Sequence, residues 1–296
     1  MSSHLKILEE EAISVIRDTY AQSENSVVLY SIGKDSSVLL ELFKRAFYPT
    51  TIPVPFLHID TGWKFKEMIS FRNKVFKENK INGIVYQNID GKNAGINPFD
   101  HQNYTDIMKT EALKQALKNG GYDFVYGGAR RDEEASRSKE KIVSLRDPNN
   151  RWDLKQQNIE PWLIFNTLME KNFSFRVFPL SNWTELNIWE YILNENIEIV
   201  PLYFAKKRTV IERNSQLFLY DDNRFKIGKK DLVKEISVRF RTLGCYPLTA
   251  GIVSNAKNVK QIISELKTSR LSERAGRLID HDKLGSMELK KRDGYF

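Results

Sequence analysis

The sequence predicts a doubly wound α/β fold: a mostly parallel, five-stranded sheet with helices on both faces, followed by a C-terminal extension. Three observations carry this. Short apolar runs rich in β-forming residues recur at 26–31, 54–60, 83–88 and 122–128. Stretches of helical periodicity lie between them. Strands alternating with helices make βαβ units, whose right-handed crossovers put helices on both faces of the sheet.

Each element follows from its own residues. Leu5, Leu8, Ala12, Val15, Ile16 and Tyr20 recur at helical spacing, so residues 3–22 predict an amphipathic helix. SVVLYS at 26–31 is the first buried strand, and Val38, Leu39, Leu42 and Phe43 mark a helix over 36–46. Pro49, Pro53 and Pro55 stop that helix and form a connector. VPFLHID at 54–60 is the second strand, residues 65–79 a charged helix and GIVYQN at 83–88 the third strand. A long loop with Gly91, Gly95 and Pro98 leads to a helix over 105–119, with Thr105 as its cap and Gly120-Gly121 as its stop. YDFVYGG at 122–128 is the fourth strand.

The texture then changes. Residues 129–155 are rich in charge and poor in apolar positions, which predicts a long functional or mobile loop. FRVFPL at 175–180 restores order, and a helix capped by Thr184 covers 184–196. Residues 205–241 hold eleven Lys or Arg against five acids, and a helix near 257–267 precedes another basic segment. The chain shows no internal repeat and no low-complexity tract.

Bulk properties narrow the class. The 296 residues carry a net charge of +8 and a pI near 9.3, a balance that suits nucleic acid, small polyanions or an acidic partner. The single cysteine, Cys245, allows neither an internal disulfide nor a four-thiolate metal site. The N-terminus lacks a signal-peptide core, and no stretch approaches the roughly 18 apolar residues of a membrane span. A cytoplasmic protein is expected.

YSIGKDSS at 30–37 follows the first strand and opens its helix, at the sheet edge where ligands of such folds bind. The helix directs its free N–H groups and positive dipole end at the loop. Gly33 permits close backbone approach or a positive φ, Ser31, Ser36 and Ser37 offer hydroxyls, and Lys34 adds charge. Asp35 stands where a Walker loop has Ser or Thr. It reads as an N-cap or as a carboxylate near magnesium. A polar strand-to-helix turn without ligand is the plain alternative.

S-x-G-K-D-S resembles the S-G-G-x-D-S loop of the ATP pyrophosphatase, or PP-loop, family, with Ile32 in place of the usual second-position glycine. The blocks LHIDTGW (57–63), GINPF (95–99), TDIMKTEALKQAL (105–117), GGARRDEE (127–134), RVFPLSNWTE (176–185), RFRTLGCYPLT (239–249) and SMELKKRDGYF (286–296) are similar, in order, to the small subunit of bacterial sulfate adenylyltransferase, in the PAPS reductase-like branch. This resemblance implies a transferase that converts ATP and sulfate to adenosine 5′-phosphosulfate and pyrophosphate, the first step of sulfate assimilation toward cysteine. It further implies Mg²⁺ with the ATP, no redox cofactor or iron–sulfur cluster, and a GTPase large subunit as heterodimer partner whose GTP hydrolysis drives synthesis. Neither nucleic acid nor membrane is an expected partner. Residues 1–210 would be the nucleotide-binding catalytic domain, and 211–296 a basic extension that covers the active site or meets a partner, with Tyr295-Phe296 in the docking surface.

Sulfate is a dianion at neutral pH, so its attack needs no general base. Catalysis by positioning and charge neutralisation then suits the chain. Lys34, Asp35, Arg130 and Arg131 are the candidate catalytic residues, with the arginines aimed at sulfate or the α-phosphate. Ser31, Gly33, Ser36, Ser37, Gly127 and Gly128 are candidates for ATP and pyrophosphate. His58 and Asp60 end the second strand and are candidates for adenosine or magnesium. His58 reads equally as a hydrogen-bonded core histidine, and Asp60 as a helix cap. Arg239 and Arg241 bracket Phe240 in an expected strand, which would turn both to one face toward an anion or a partner. Cys245 sits in L-G-C-Y-P-L, unlike the C-terminal cysteine setting of sulfonucleotide reductases, and reads as structural. Two rivals stay open: another PP-loop ligase acting on a carboxylate or carbonyl, and a binding module for RNA or a protein.

Overall fold

Apolar periodicity sets the elements, and strand order brings two turns together. The computed structural model describes residues 1–99, 103–160 and 164–268. The first half comprises α1 (Ser3–Tyr20), β1 (Ser26–Leu29), α2 (Lys34–Phe47), β2 (Phe56–Ile59), α3 (Lys66–Glu78), β3 (Gly83–Tyr86) and α4 (Ile89–Asn93). A π-helical turn, Asp106–Glu111, runs into α5 (Ala112–Gly120), followed by β4 (Phe124–Tyr126), α6 (Ala135–Ser138), β5 (Val143–Arg146), β6 (Ser174–Val177) and α7 (Glu185–Asn194). β7 (Lys206–Arg213), β8 (Gln216–Leu219), β9 (Leu232–Arg239), β10 (Ile252–Val253) and α8 (Val259–Thr268) complete the described chain.

Local chemistry explains the boundaries. The Ser2 hydroxyl accepts from Leu5 N–H at 3.3 Å and starts α1, whose Leu5, Leu8, Ala12, Val15 and Ile16 are buried. Thr184 and Asn187 form a reciprocal cap at α7, with bonds of 3.1 and 2.9 Å. Gly121 ends α5 at φ 61°, a left-handed position that favours glycine. Thr105 does not act as the expected cap. Its backbone is already helical, its side chain makes no capping bond, and the chain enters through the π turn.

The main sheet has six strands in the order β3-β2-β1-β4-β6-β5. Five are parallel neighbours, with β1 central between β2 and β4. The sixth, β5, pairs antiparallel with β6 from within the segment expected to be loop. Its signal is hidden because its burial is polar. The Ser144 hydroxyl bonds Glu140 at 2.5 Å, and Arg146 bonds the same carboxylate at 2.9 Å.

The basic stretch folds into a second, antiparallel sheet, β10-β9-β7-β8. The boundary expected after residue 210 lies inside β7. One hydrophobic core runs from α1 and α2 to Phe240, Tyr246 and Ile262, so the second sheet seats on the first. The rings of Phe65 and Phe240 meet at 5.0 Å. Among the described residues no helix is long and apolar enough to cross a membrane. The block at 286–296, with Tyr295 and Phe296, lies outside the described residues.

Candidate active site

The turn after β1 is shaped by its own backbone. Ile32 sits at φ 69° with its side chain fully buried. A β-branched residue in the left-handed region is strained, and the core holds this one there. Gly33 is the extended residue before α2. The hydroxyls of Ser36 and Ser37 donate to the Gly33 carbonyl at 2.9 and 3.2 Å, while Gly33 N–H reaches Ser31 Oγ at 3.4 Å. The first amide of α2, Lys34 N–H, donates to the Tyr203 hydroxyl at 2.9 Å. A Cβ added to Gly33 would lie 3.4 Å from both Ser31 Oγ and that hydroxyl.

Asp35 is not the N-cap. It lies in the first turn of α2, where its carboxylate accepts from Lys34 Nζ at 3.0 Å and Arg130 Nε at 2.7 Å. Burial works against its charge, but the adjacent Lys34 ammonium and Arg130 guanidinium prevail and hold its pKa down at about 2. Arg130 is only 1 % exposed, so it braces Asp35 from behind the cavity wall. Gly128 permits the close approach of the two turns, since a Cβ there would lie 3.3 Å from the Asp35 backbone.

A cavity of about 190 Å³ opens at this edge. Its apolar wall is Leu29, Leu57, Ile59 and Leu113, and the loop supplies Ser31, Gly33, Lys34, Asp35 and Ser36. Lys64 and Lys109 add positive charge, as does Arg137, which pairs with Glu134 at 3.0 Å and with Glu133, itself in the lining, at 3.3 Å. Tyr203, Thr242 and Leu243 close the cavity from the side of the second sheet. Lys64 makes no ion pair among the described residues. The Cys245 thiol, bonded to Thr61 at 3.5 Å, reports the field near the cavity. Burial raises its pKa, yet Lys64 and Lys109, together with hydrogen bonds to Thr61 and Tyr104, lower it on balance.

The structure gathers Ser31, Gly33, Lys34, Asp35, Ser36, His58 and Gly128 around this cavity. His58 donates from Nδ1 to the Tyr30 carbonyl at 2.8 Å, while its buried Nε2 has no hydrogen-bond partner among the described residues. Burial first, then the Lys64 charge, pushes its pKa down to about 3, so the ring is neutral. The remaining candidates lie elsewhere. Gly127 N–H bonds the Val177 carbonyl at 2.9 Å as part of the sheet. The Asp60 carboxylate accepts from Gly62 N–H at 2.8 Å and lies 3.5 Å from Arg72. Arg131 turns away to Asn182 at 2.6 Å and the Glu140 carbonyl at 3.3 Å. Arg239 and Arg241 do not share a face: β9 ends at Arg239, which pairs with Glu265 at 2.8 Å, whereas Arg241 pairs with Glu185 at 2.7 Å.

Sequence reasoning missed Lys64, Lys109, Arg137 and Tyr203. Lys64 had a signal, because it directly follows the DTGW block at a strand end. Lys109 is turned inward by a π turn that no periodicity announces. Among the described residues no cluster of three His, Cys, Asp or Glu could hold a metal. The Asp35 oxygens already serve two cations, so a divalent ion at this site would need most of its oxygen ligands from the bound anion itself.

Comparison with known proteins identifies the family. A family model described as the phosphoadenosine phosphosulfate reductase domain matches residues 25–251. The chain is 57 % identical to sulfate adenylyltransferase subunit 2 of Aeromonas salmonicida (strain A449), over 99 % of this chain and 96 % of the relative. It is 55 % identical to the protein of the same name from Acinetobacter baumannii (strain AYE), over 99 % of this chain and 97 % of the relative. Among solved structures, the Candida glabrata FMN adenylyltransferase in complex with FAD and inorganic pyrophosphate aligns with a TM-score of 0.51 at 16 % identity, covering 93 % of this chain and 88 % of that one, a likeness of fold.

Proposed function

The chain belongs to the phosphoadenosine phosphosulfate reductase domain family and, at 57 % identity, to its sulfate adenylyltransferase subunit 2 members, and from that premise we propose that this nucleotidyltransferase joins sulfate to the adenylyl group of ATP. The products are adenosine 5′-phosphosulfate and pyrophosphate. The carrying observation is a cavity that combines the amino end of α2, the Gly33 turn and the cations Lys34, Lys64, Lys109 and Arg137. That is the equipment for holding polyanions.

In this reading the turn at 31–36 holds the β- and γ-phosphates and Gly128 lets the phosphate chain pass. Leu29, Leu57 and Ile59 take the adenosine beside the neutral His58. Lys64, Lys109 and Arg137 draw sulfate toward the α-phosphorus and offset dianion–polyanion repulsion. Sulfate attacks phosphorus, the bond to the bridging oxygen breaks, and pyrophosphate leaves with that oxygen. Mg²⁺ arrives with the ATP as part of the substrate. Asp35 and Arg130 fix the turn instead of touching the reacting atoms. The product anhydride lies uphill, so a partner subunit that hydrolyses GTP supplies the drive.

The test is sulfate-dependent pyrophosphate release, with and without the partner subunit and GTP. Release is expected to need sulfate and to rise with both additions. Release that ignores sulfate, or none with the partner present, would refute the reading.

A further inference from the structure

Tyr203 carries chemistry that no local motif announced. It ends a short turn, Pro201–Tyr203, at the approach to the second sheet, far along the chain from the turn at 31–36. The turn is fastened at both ends: Phe240 N–H donates to the Leu202 carbonyl at 2.9 Å, and Ala205 N–H to the Ala256 carbonyl at 2.7 Å. The ring packs edge-on against Trp189 at 5.4 Å and is 1 % exposed. A buried phenol needs a polar partner for its hydroxyl. This one accepts Lys34 N–H at 2.9 Å and lines the cavity beside Gly33.

We propose that Tyr203 is a further catalytic residue: its oxygen holds the first amide of α2 in line, and its O–H donates a hydrogen bond to the departing pyrophosphate, keeping its proton. This rests on the reading that the turn binds pyrophosphate. Accepting from an amide polarises the O–H bond and strengthens it as a donor toward an anion. The contact gains strength as charge builds on the leaving oxygens, so it favours the transition state over bound ATP. It also makes the second sheet part of the active site, because the hydroxyl is positioned by residues fastened to β9 and to the chain leading into α8.

Tyr203→Phe, assayed by sulfate-dependent pyrophosphate release, tests this. The kcat is expected to fall about tenfold or more, with the KM for ATP within about threefold and the thermal midpoint within a few degrees of wild type. Parent-like kcat in the folded variant overturns the inference while an active wild type leaves the proposed function standing. A wild type with no sulfate-dependent release overturns both. If the variant does not fold, hydrogen exchange on the wild type with inorganic pyrophosphate and Mg²⁺ decides. Slower exchange at both 31–37 and 200–205 supports the contact, and protection confined to 31–37 overturns it.

Discussion

Two turns face each other across the carboxyl edge of the parallel sheet, one after β1 and one after β4, and they are built on opposite plans. The first is bonded in part from within: Ser36 and Ser37 bond the Gly33 carbonyl within a few residues, with Tyr203 and Arg130 as remote braces. The second is organised from a distance. Arg130 reaches Asp35, Arg131 reaches Asn182, and the Asp132 carboxylate accepts the first amide of α7 from Glu185 at 3.0 Å. A turn with bonds among its own residues leaves a signature in consecutive positions, whereas a turn braced only by remote partners shows a run of charge.

The contrast breaks most visibly at Gly33. Gly33→Val should lower pyrophosphate release by about 100-fold or more, because a branched side chain displaces both the phosphates and Tyr203. A folded variant with near-parent turnover would put the phosphates elsewhere. Arg130→Met should cost about 2–3 kcal/mol in urea unfolding, since it leaves the Asp35 carboxylate with Lys34 alone. Adding Asp35→Asn should restore part of that loss, and no restoration would mean that the ion pair is not what braces the turn.

Acid should loosen the surroundings of the first turn in two steps. His58 is neutral when folded, with a pKa near 3 against an ordinary 6.5, so its contribution is present above about 6.5 and is lost as pH falls toward 3. Asp35, held at about 2 against 3.8, adds a second loss from about 4 down to 2. Together they should remove on the order of a few kcal/mol. Unfolding midpoints measured against pH should flatten above pH 4 in His58→Gln, and an unchanged profile would rule the histidine out.

Smaller effects separate strain from anchoring. Ile32→Gly relieves about 1 kcal/mol of backbone strain but loses about 2 kcal/mol of buried apolar surface. A net loss near 1 kcal/mol with a several-fold higher KM for ATP is expected, and an unchanged KM would show that the anchor does not shape the turn. Arg131→Ala should change stability by about 1 kcal/mol or less and slow sulfate turnover less than Arg137→Ala does. The reverse ranking would return Arg131 to the anion.

The parallel strands and the Gly33 turn were legible because they are encoded in neighbouring residues. Val27, Val28, Phe56, Leu57, Phe124 and Val125 are buried runs whose only stable arrangement is a covered parallel sheet. β5 was not legible, because Ser144 and Arg146 are buried by satisfying Glu140 and not by being apolar. The basic stretch likewise concealed β7, β8 and most of β9, where exposed charged positions such as Lys206, Lys207, Lys234 and Glu235 adjoin the buried pairs Val210-Ile211 and Val238-Arg239.

The sequence by itself determined the class of fold, the position of the Gly33 turn and the family, since each rests on short-range pattern or on ordered identity. Tertiary structure alone decided which charges face the cavity. It sent Arg130 to Asp35, Arg131, Arg239 and Arg241 to other partners, and brought Lys64, Lys109, Arg137 and Tyr203 inward. A charged side chain goes where its desolvation is offset by a partner, and in this fold most of those partners lie far along the chain.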